Sequence, residues 1–113
     1  MINTCNLSED YIGYNTRYGD SVGDCAPLAD LTKTEIKLLA KELGLADVLI
    51  QKIPRDGLCG KTDEERFGFS YEILDRYILT GECNDLNVKN KIDMLHKQNL
   101  FKLKLMPKWE RRN

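Results

Sequence analysis

The sequence has no hydrophobic run long enough to cross a membrane, because none approaches the roughly 18 apolar residues that a spanning helix requires. The opening residues, Met1 to Cys5, also lack the basic and apolar regions of a secretory signal. We therefore expect a cytoplasmic protein that does not bind membranes.

Positive charge is not in excess either. Lys and Arg number 17 against 18 Asp and Glu, so the net charge is −1 with the single His neutral. Proteins that bind nucleic acid usually present a basic surface that neutralises phosphates. Although residues 108–112 are locally basic, the overall charge argues against a nucleic-acid partner.

The 4 cysteines are too widely separated for a structural zinc site, which needs closely spaced pairs of ligands. They are Cys5, Cys25, Cys59 and Cys83. Without a secretory signal, these residues are expected to be free thiols, mostly buried. A disulfide pair is the alternative, but the spacing does not support it.

What is present is typical of a globular protein: 113 residues, of which 42% are hydrophobic and 31% charged. This length suits one domain with a modest core, and no internal repeat divides the chain. We therefore treat residues 1–113 as a single unit.

Local capping signals predict a mainly α-helical chain. Thr32 followed by Glu35 forms a capping box, and Ser70 is a favourable cap for another helix. Gly44 and Gly81 suit the positions that follow a helix. The first predicted helix begins at Asn6 or Ser8 and runs to about Asn15. The other predicted helices cover about 33–43, 46–51, 71–80 and 86–99.

The helix after Thr32 is predicted to have a broad buried face, because its apolar residues recur at helical spacing: Ile36, Leu38, Leu39 and Leu43. Strand signals are confined to residues 1–4 and 25–28. The first of these resembles the end of a strand whose beginning is missing, so we expect the chain to be a piece of something larger.

Two segments carry the residues suited to chemistry. In residues 3–24, a strand end, a helix N-terminus and nearby carboxylates suit a phosphorylated ligand with a metal ion. In residues 54–71, glycines allow the backbone to approach a ligand, and an acidic run can start a helical turn. The alternatives are that Glu9 and Asp10 only favour the helix dipole, and that the second segment is an ordinary polar loop.

Together, in order, spacing and identity, these segments resemble the NAD synthetases, and most of all their ammonia-dependent, single-domain branch. The matching stretches are Asn3–Asp10, Tyr18–Asp20, Gly57–Glu64, Gly68–Glu72 and Asn99–Lys104. The resemblance implies a ligase that adenylates the nicotinate carboxylate of deamido-NAD with ATP and Mg²⁺. Ammonia then displaces AMP to give NAD.

The resemblance also implies a fold, a doubly wound α/β, Rossmann-like sheet of the adenine-nucleotide-hydrolase type. The whole chain, residues 1–113, would be a single partial domain, the C-terminal half of that fold. A non-catalytic remnant, or a module for dinucleotide binding or association, is the alternative function.

Individual roles follow from the resemblance, position by position. The residues implied to contact ATP are Thr4, Lys33 and Arg55; those implied to hold deamido-NAD are Arg17, Asp24 and Lys102; and Glu9 is the implied Mg²⁺ ligand. Each role has a simpler rival: Thr4 as a helix cap, Lys33 as a solvated side chain, and Asp24 as a loop acid.

Three departures from the family pattern limit these expectations. The phosphate-binding loop, of the form Ser-Gly-Gly-x-Asp-Ser, does not occur in the sequence. Arg55 stands where a small hydroxyl residue is usual, and Phe101 replaces a histidine beside Lys102. We therefore expect the isolated chain to be inactive, and a homodimer or a complementing N-terminal half to cover its exposed apolar stripes.

Overall fold

The computed structural model describes residues 1–112 and is mainly helical over that range, as predicted. The α-helices are α1 (Leu7–Ile12), α2 (Lys33–Glu42), α3 (Asp47–Ile50), α4 (Asp63–Phe67), α5 (Tyr71–Thr80) and α6 (Leu86–Asn99). A 3₁₀ helix, Leu100–Leu103, follows α6 directly. No helix of the described residues is long and apolar enough to span a membrane.

Short-range capping determines where most of these helices begin. The Thr32–Glu35 capping box and the Ser70 cap are both confirmed, and the last predicted helix has the observed bounds. Asn6 is the cap of α1, and Glu9 completes its capping box. This helix ends at Ile12, earlier than predicted, because Gly13 adopts the left-handed conformation at φ 71°.

The two predicted strand segments meet at only one point. Ile2 and Cys25 form a single parallel bridge, and the Asn3 amide donates to the Cys25 carbonyl at 2.9 Å. Within residues 1–112 there is no strand beyond this bridge.

The hydrophobic core lies between α1, α5 and α6. Its buried members are Ile12, Phe67, Phe69, Tyr71, Leu74 and Ile92. The aromatic rings pack against one another, and Phe67 contacts Tyr14 edge-on with their ring centroids 4.7 Å apart. His96 fastens α6 to α1, because its ring stacks on Tyr11 and its Nδ1 lies 2.7 Å from the Tyr11 carbonyl oxygen.

The prediction that α2 has a buried face is wrong for the described residues. No residue of α2 is buried, and Leu38 and Leu43 are 61% and 69% exposed. The exposed apolar surface continues through α3. We call it the α2–α3 apolar face; its members are Leu38, Leu39, Leu43, Leu45, Val48, Leu49 and Ile53. It stays exposed because no described segment packs over it.

The cysteines are all free, as expected, but they are not mostly buried. Cys5 is buried, whereas Cys25 and Cys59 are exposed and Cys83 is intermediate. The expectation failed because Cys25, at the β-bridge, and Cys59, in a loop, both lie outside the core.

A buried carboxylate on α5 joins three helices. Asp75 is only 3% exposed, and its Oδ1 accepts a hydrogen bond from the Ser8 hydroxyl of α1 at 2.5 Å. Its Oδ2 accepts from both the backbone N–H and the hydroxyl of Thr34, in the first turn of α2. Ser8 Oγ in turn accepts from the Lys33 amide at 2.8 Å. The network satisfies otherwise unpaired N–H groups at the start of α2.

We expect Asp75→Ala to lower the free energy of unfolding by about 2–4 kcal/mol, because it leaves the buried hydroxyl of Ser8 and the Thr34 donors without their acceptor. Urea denaturation measures the loss. Asp75→Asn keeps one acceptor oxygen and should cost less. The exposed Asp30, changed to Ala, is the control; a loss as large as that of Asp75→Ala would contradict the assignment.

Candidate functional site

A cavity of about 500 Å³ lies beside the N-terminal ends of α1 and α2. The first helix and the loop after it contribute Glu9, Tyr14 and Asp20. Lys33 and apolar residues of α2 and α3 line it as well. Residues 52–56, which precede α4, and Asp63, its first residue, complete the lining. Charged and apolar groups thus share one space, as in sites for small organic ligands.

Glu9 and Lys33 form an ion pair at the wall of this cavity. The Lys33 ammonium lies 3.0 Å from Glu9 Oε1, while Glu9 Oε2 accepts the Asn6 amide at 3.2 Å in the capping box. The Lys33 ammonium also lies 5.4 Å from the centre of the Tyr71 ring. Glu9 is therefore both a capping residue and a cavity carboxylate, and Lys33 is not merely a solvated side chain.

Arg55 lines the same cavity from the loop before α4, and it is exposed. The structure therefore brings together Glu9, Lys33 and Arg55, which the resemblance implies for metal and ATP. Their backbone positions lie on three separate segments of the chain, so only the tertiary fold could bring them together.

Thr4 and Asp24 lie outside the cavity lining, and both are exposed. Thr4 is not the cap of α1, because Asn6 occupies that position. The carboxylate of Asp24 pairs with the amino group of Met1, and its backbone amide donates to the Met1 carbonyl at 2.7 Å. Asp24 is thus tied to the segment that includes the Ile2–Cys25 bridge. The ligand roles of Thr4 and Asp24 stay predictions.

Arg17 and Lys102 both link the C-terminal part of the chain to the segment that follows α1. The Lys102 ammonium donates to the carbonyl oxygens of Gly13 and Asn15, at 2.8 and 2.9 Å. The Arg17 guanidinium donates to the Lys104 carbonyl at 3.1 Å and lies 5.7 Å from the Phe101 ring centre. The two cations lie outside the cavity lining, and their ligand roles also stay predictions.

Sequence reasoning missed Asp63. This residue is 5% exposed, its Oδ2 accepts the Tyr71 hydroxyl at 3.0 Å, and its Oδ1 has no hydrogen-bond partner. Nothing local distinguishes it from Glu64 and Glu65 in the same acidic run, both of which are exposed. Only the packing of α4 against α5 could identify it.

The buried carboxylate affects the acidity of two tyrosines. Burial, and then the Asp63 charge, raise the pKa of Tyr14 to about 12. The same two causes raise the pKa of Tyr71 far above its ordinary value. Both phenols are therefore protonated at neutral pH and act as hydrogen-bond donors near the cavity.

Two other acids, one next to Glu9 in α1 and one in the cavity lining, differ in their environments. Burial raises the pKa of Asp10, against the effect of a hydrogen bond from Asn15. A hydrogen bond from the Leu58 amide, followed by the nearby Arg66 guanidinium, lowers the pKa of Asp56. Asp56 therefore remains a charged carboxylate with both oxygens engaged, one by Leu58 and one by Arg66.

Comparison with known proteins places the chain in a known family. The sequence model described as NAD synthase matches residues 1–112, and the chain belongs to that family. Two relatives of the chain carry a more specific name than the family does. The chain is 46% identical, over its full length, to the NH(3)-dependent NAD(+) synthetase of Finegoldia magna. It is 42% identical, over 86% of its length, to the protein of the same name from Mesoplasma florum.

These matches cover 47% and 40% of the relatives, so the chain spans just under half the length of the curated proteins it matches. Solved structures agree on the family. The NMN synthetase of Francisella tularensis superposes with a TM-score of 0.88 at 32% identity, covering 97% of this chain and 46% of that one. An NH3-dependent NAD synthetase from Campylobacter jejuni gives a TM-score of 0.67 at 30% identity, covering 96% and 44%.

Cys5, beside the cavity acids, should be the least reactive thiol. Burial and then the negative charge of Asp20 raise its pKa to about 11. Since the thiolate is the nucleophile, iodoacetamide at pH 8 should modify the exposed Cys25 and Cys59 well before Cys5. The reaction of Cys5 should accelerate only as the pH approaches 11. Mass spectrometry of the native protein measures the order, with the urea-unfolded chain as control; equal native rates would contradict the prediction.

Proposed function

We propose that the chain is the C-terminal half of an ammonia-dependent NAD synthetase and serves NAD biosynthesis. In this reaction ATP adenylates the nicotinate carboxylate of deamido-NAD, and ammonia then displaces AMP, with pyrophosphate as the other product. The observation that carries the proposal is the cavity lined by Glu9, Lys33 and Arg55, for each of which the resemblance implied a ligand role. The names of the relatives support the same activity.

The proposed parent fold is a doubly wound, Rossmann-like sheet, of which this chain supplies one side. The parallel pairing of Ile2 with Cys25 supports this fold, since such sheets are built from parallel strands. The uncovered α2–α3 apolar face, together with the length missing relative to the relatives, supports a complementing N-terminal half. A homodimer is the other arrangement that would cover an apolar face of this kind. We propose a cytoplasmic location.

Lys33 and Arg55 suit the binding of ATP. Negative charge moves onto the leaving pyrophosphate during adenylation, and fixed cations nearby stabilise it. We propose that the Lys33 ammonium contacts phosphate and that the exposed Arg55 either reaches an anionic group or remains in solvent. Thr4 would add a hydroxyl contact to ATP from the bridge segment.

The fit of Mg²⁺ to this half-site rests on Glu9. Within residues 1–112 no group of three or more His, Cys, Asp or Glu side chains could hold a metal ion. Mg²⁺ needs fewer protein ligands than that, because it usually keeps several waters and binds substrate phosphates with one or two carboxylates. Glu9 fits as a single carboxylate ligand, because its Oε1 can bind the metal once the Lys33 ammonium moves away from it. When bound, the metal neutralises phosphate charge.

Arg17, Asp24 and Lys102 are the proposed contacts to deamido-NAD. The cations of Arg17 and Lys102 suit the carboxylate and pyrophosphate groups of this ligand. In the structure both donate to backbone carbonyls, so ligand binding would exchange these bonds for charge-assisted ones.

One other substrate has support. The structure superposes more closely on the NMN synthetase than on the NAD synthetase, so a mononucleotide is the substrate to compare with deamido-NAD.

The pure chain should form no NAD from deamido-NAD, ATP and ammonia, because it lacks the phosphate-binding loop. Supplying the N-terminal half of the Finegoldia magna relative as a separate polypeptide should restore NAD formation, detected by mass spectrometry. Nicotinate mononucleotide is assayed in parallel as the competing substrate. NAD formation by the chain alone would refute the proposal that the chain is only half of the enzyme. A stable two-piece complex without activity would favour the non-catalytic role.

In this two-piece enzyme, Glu9→Gln should lower activity more at limiting than at saturating Mg²⁺, because one carboxylate ligand is lost. Glutamine preserves the capping box, so α1 should keep its N-terminus. Glu35→Gln is the matched control: it makes the same change in the capping box of α2, outside the cavity lining. Equal losses for Glu9→Gln at both Mg²⁺ concentrations would show that Glu9 acts only as a capping residue.

A further inference from the structure

Lys33 is held at both of its ends by two adjacent residues of α1. Its backbone amide donates to the Ser8 hydroxyl at 2.8 Å, and its side-chain ammonium lies 3.0 Å from Glu9 Oε1. Ser8 is fully buried, whereas the Lys33 side chain is 23% exposed at the cavity wall. The two contacts together fix where the lysine leaves the backbone and where its charge lies.

The direction of the Ser8 hydroxyl is determined by Asp75. A carboxylate can only accept hydrogen bonds, and a backbone amide can only donate them. The Ser8 proton therefore points to Asp75 Oδ1, at 2.5 Å, and an oxygen lone pair points to the Lys33 amide. Both side chains are buried, so solvent has little access to this proton. The serine thus transmits the position of α5 to Lys33, the first residue of α2.

This arrangement matters for the proposed site because the contact from Glu9 is not permanent there. Once Glu9 Oε1 is taken by a metal ion, the Lys33 ammonium loses its partner on α1. The bond between Ser8 and the Lys33 amide does not involve that carboxylate, so it remains. A cation stabilises phosphate charge best when its position is fixed in advance. Of the two contacts from α1, only the one from Ser8 can then supply that constraint.

We propose that Ser8 is a positioning residue that fixes the backbone of Lys33, so that the released ammonium reaches phosphate rather than solvent. This role rests on the proposed function, in which Lys33 contacts the phosphates of ATP. Ser8 does not touch the ligand itself, since it is fully buried and lies outside the cavity lining. Loss of its hydroxyl should therefore act on the reaction only through Lys33.

In the two-piece enzyme, Ser8→Ala should lower kcat about three- to tenfold, because one hydrogen bond that holds the cation is lost. The KM for ATP should change less, since the charge that Lys33 stabilises develops mainly in the transition state. When Lys33 is already changed to Met, Ser8→Ala should have no further effect on kcat. An equal loss in the two backgrounds would overturn the proposal, since it would show that Ser8 does not act through Lys33.

Ser70→Ala is the matched control for the loss of a serine hydroxyl. The Ser70 hydroxyl also accepts a backbone amide at the start of a helix, that of Ile73 in α5, but it lies outside the cavity lining. This substitution should lower the free energy of unfolding without a comparable loss of kcat. A loss of kcat as large as that of Ser8→Ala would show that reduced stability explains both effects, and it would overturn the proposal.

Chemical labelling of the 113-residue chain tests the same role without ATP or a second polypeptide. An ion-paired lysine reacts slowly with acetic anhydride, since the pair must open first. Ser8→Ala should accelerate the acetylation of Lys33, relative to the exposed Lys37 of the same helix, by about three- to tenfold. Ser70→Ala should leave this ratio unchanged. Mass spectrometry of the native protein measures both rates, and an equal ratio in wild type and Ser8→Ala would overturn the proposal.

Asp75→Asn provides a second variant if Ser8→Ala fails to fold, as judged by circular dichroism. Asparagine has only one acceptor oxygen, so it cannot serve both Ser8 and Thr34. It should raise the acetylation of Lys33 relative to Lys37 in the same direction, and an unchanged ratio would overturn the proposal. An active two-piece enzyme that is insensitive to Ser8→Ala refutes this inference alone. An inactive wild-type complex refutes the proposed function, and the labelling ratio still decides whether Ser8 positions Lys33.

Discussion

The carboxylate of Asp75 accepts hydrogen bonds from two other helices, and the relative positions of α1, α2 and α5 depend on it. Ser8 connects this carboxylate to the amide of Lys33, and the adjacent Glu9 side chain meets the Lys33 ammonium. The buried network and the cavity pair thus occupy neighbouring positions on the same two helices. A change in the angle between α1 and α2 would both break the buried hydrogen bonds and move Glu9 away from Lys33. The stability of the core and the geometry of the site are therefore coupled.

The structure divides into a packed part and an unpacked part. Helices α1, α5 and α6 bury a continuous core that includes Leu74 and Ile92. By contrast, α2 and α3 contribute cavity walls without burying their leucines, and of these two only α2 has a side-chain cap. Each Å² of apolar surface left in water forgoes about 25 cal/mol. The contacts that hold α2 against α1 and α5 are therefore mostly polar: they are the hydrogen bonds to the acceptors Ser8 and Asp75.

The sequence predicted features whose causes lie within a few residues. The boundary at Thr32 and the bounds of α6 were correct, because caps and helical periodicity are local. Burial was not predictable in the same way: the apolar spacing of α2 indicates a face that packs, but not whether its partner is present. Within the site, Glu9, Lys33 and Arg55 line one cavity. The ligand roles that the resemblance implies for them stay predictions, and Asp63 and Asp75 were missed. Ser8 and Asp75 are 67 positions apart, and no local pattern reports such a contact.

The α2–α3 apolar face also governs how the chain behaves in concentrated solution. Salts such as sulfate, which are excluded from protein surfaces, strengthen apolar association, and so does warming from low temperature. A net charge of only −1 provides little electrostatic repulsion between molecules to oppose it. The colloidal stability of the isolated chain should therefore be greatest in cold, sulfate-free buffers at a pH well away from its isoelectric point near 5.8.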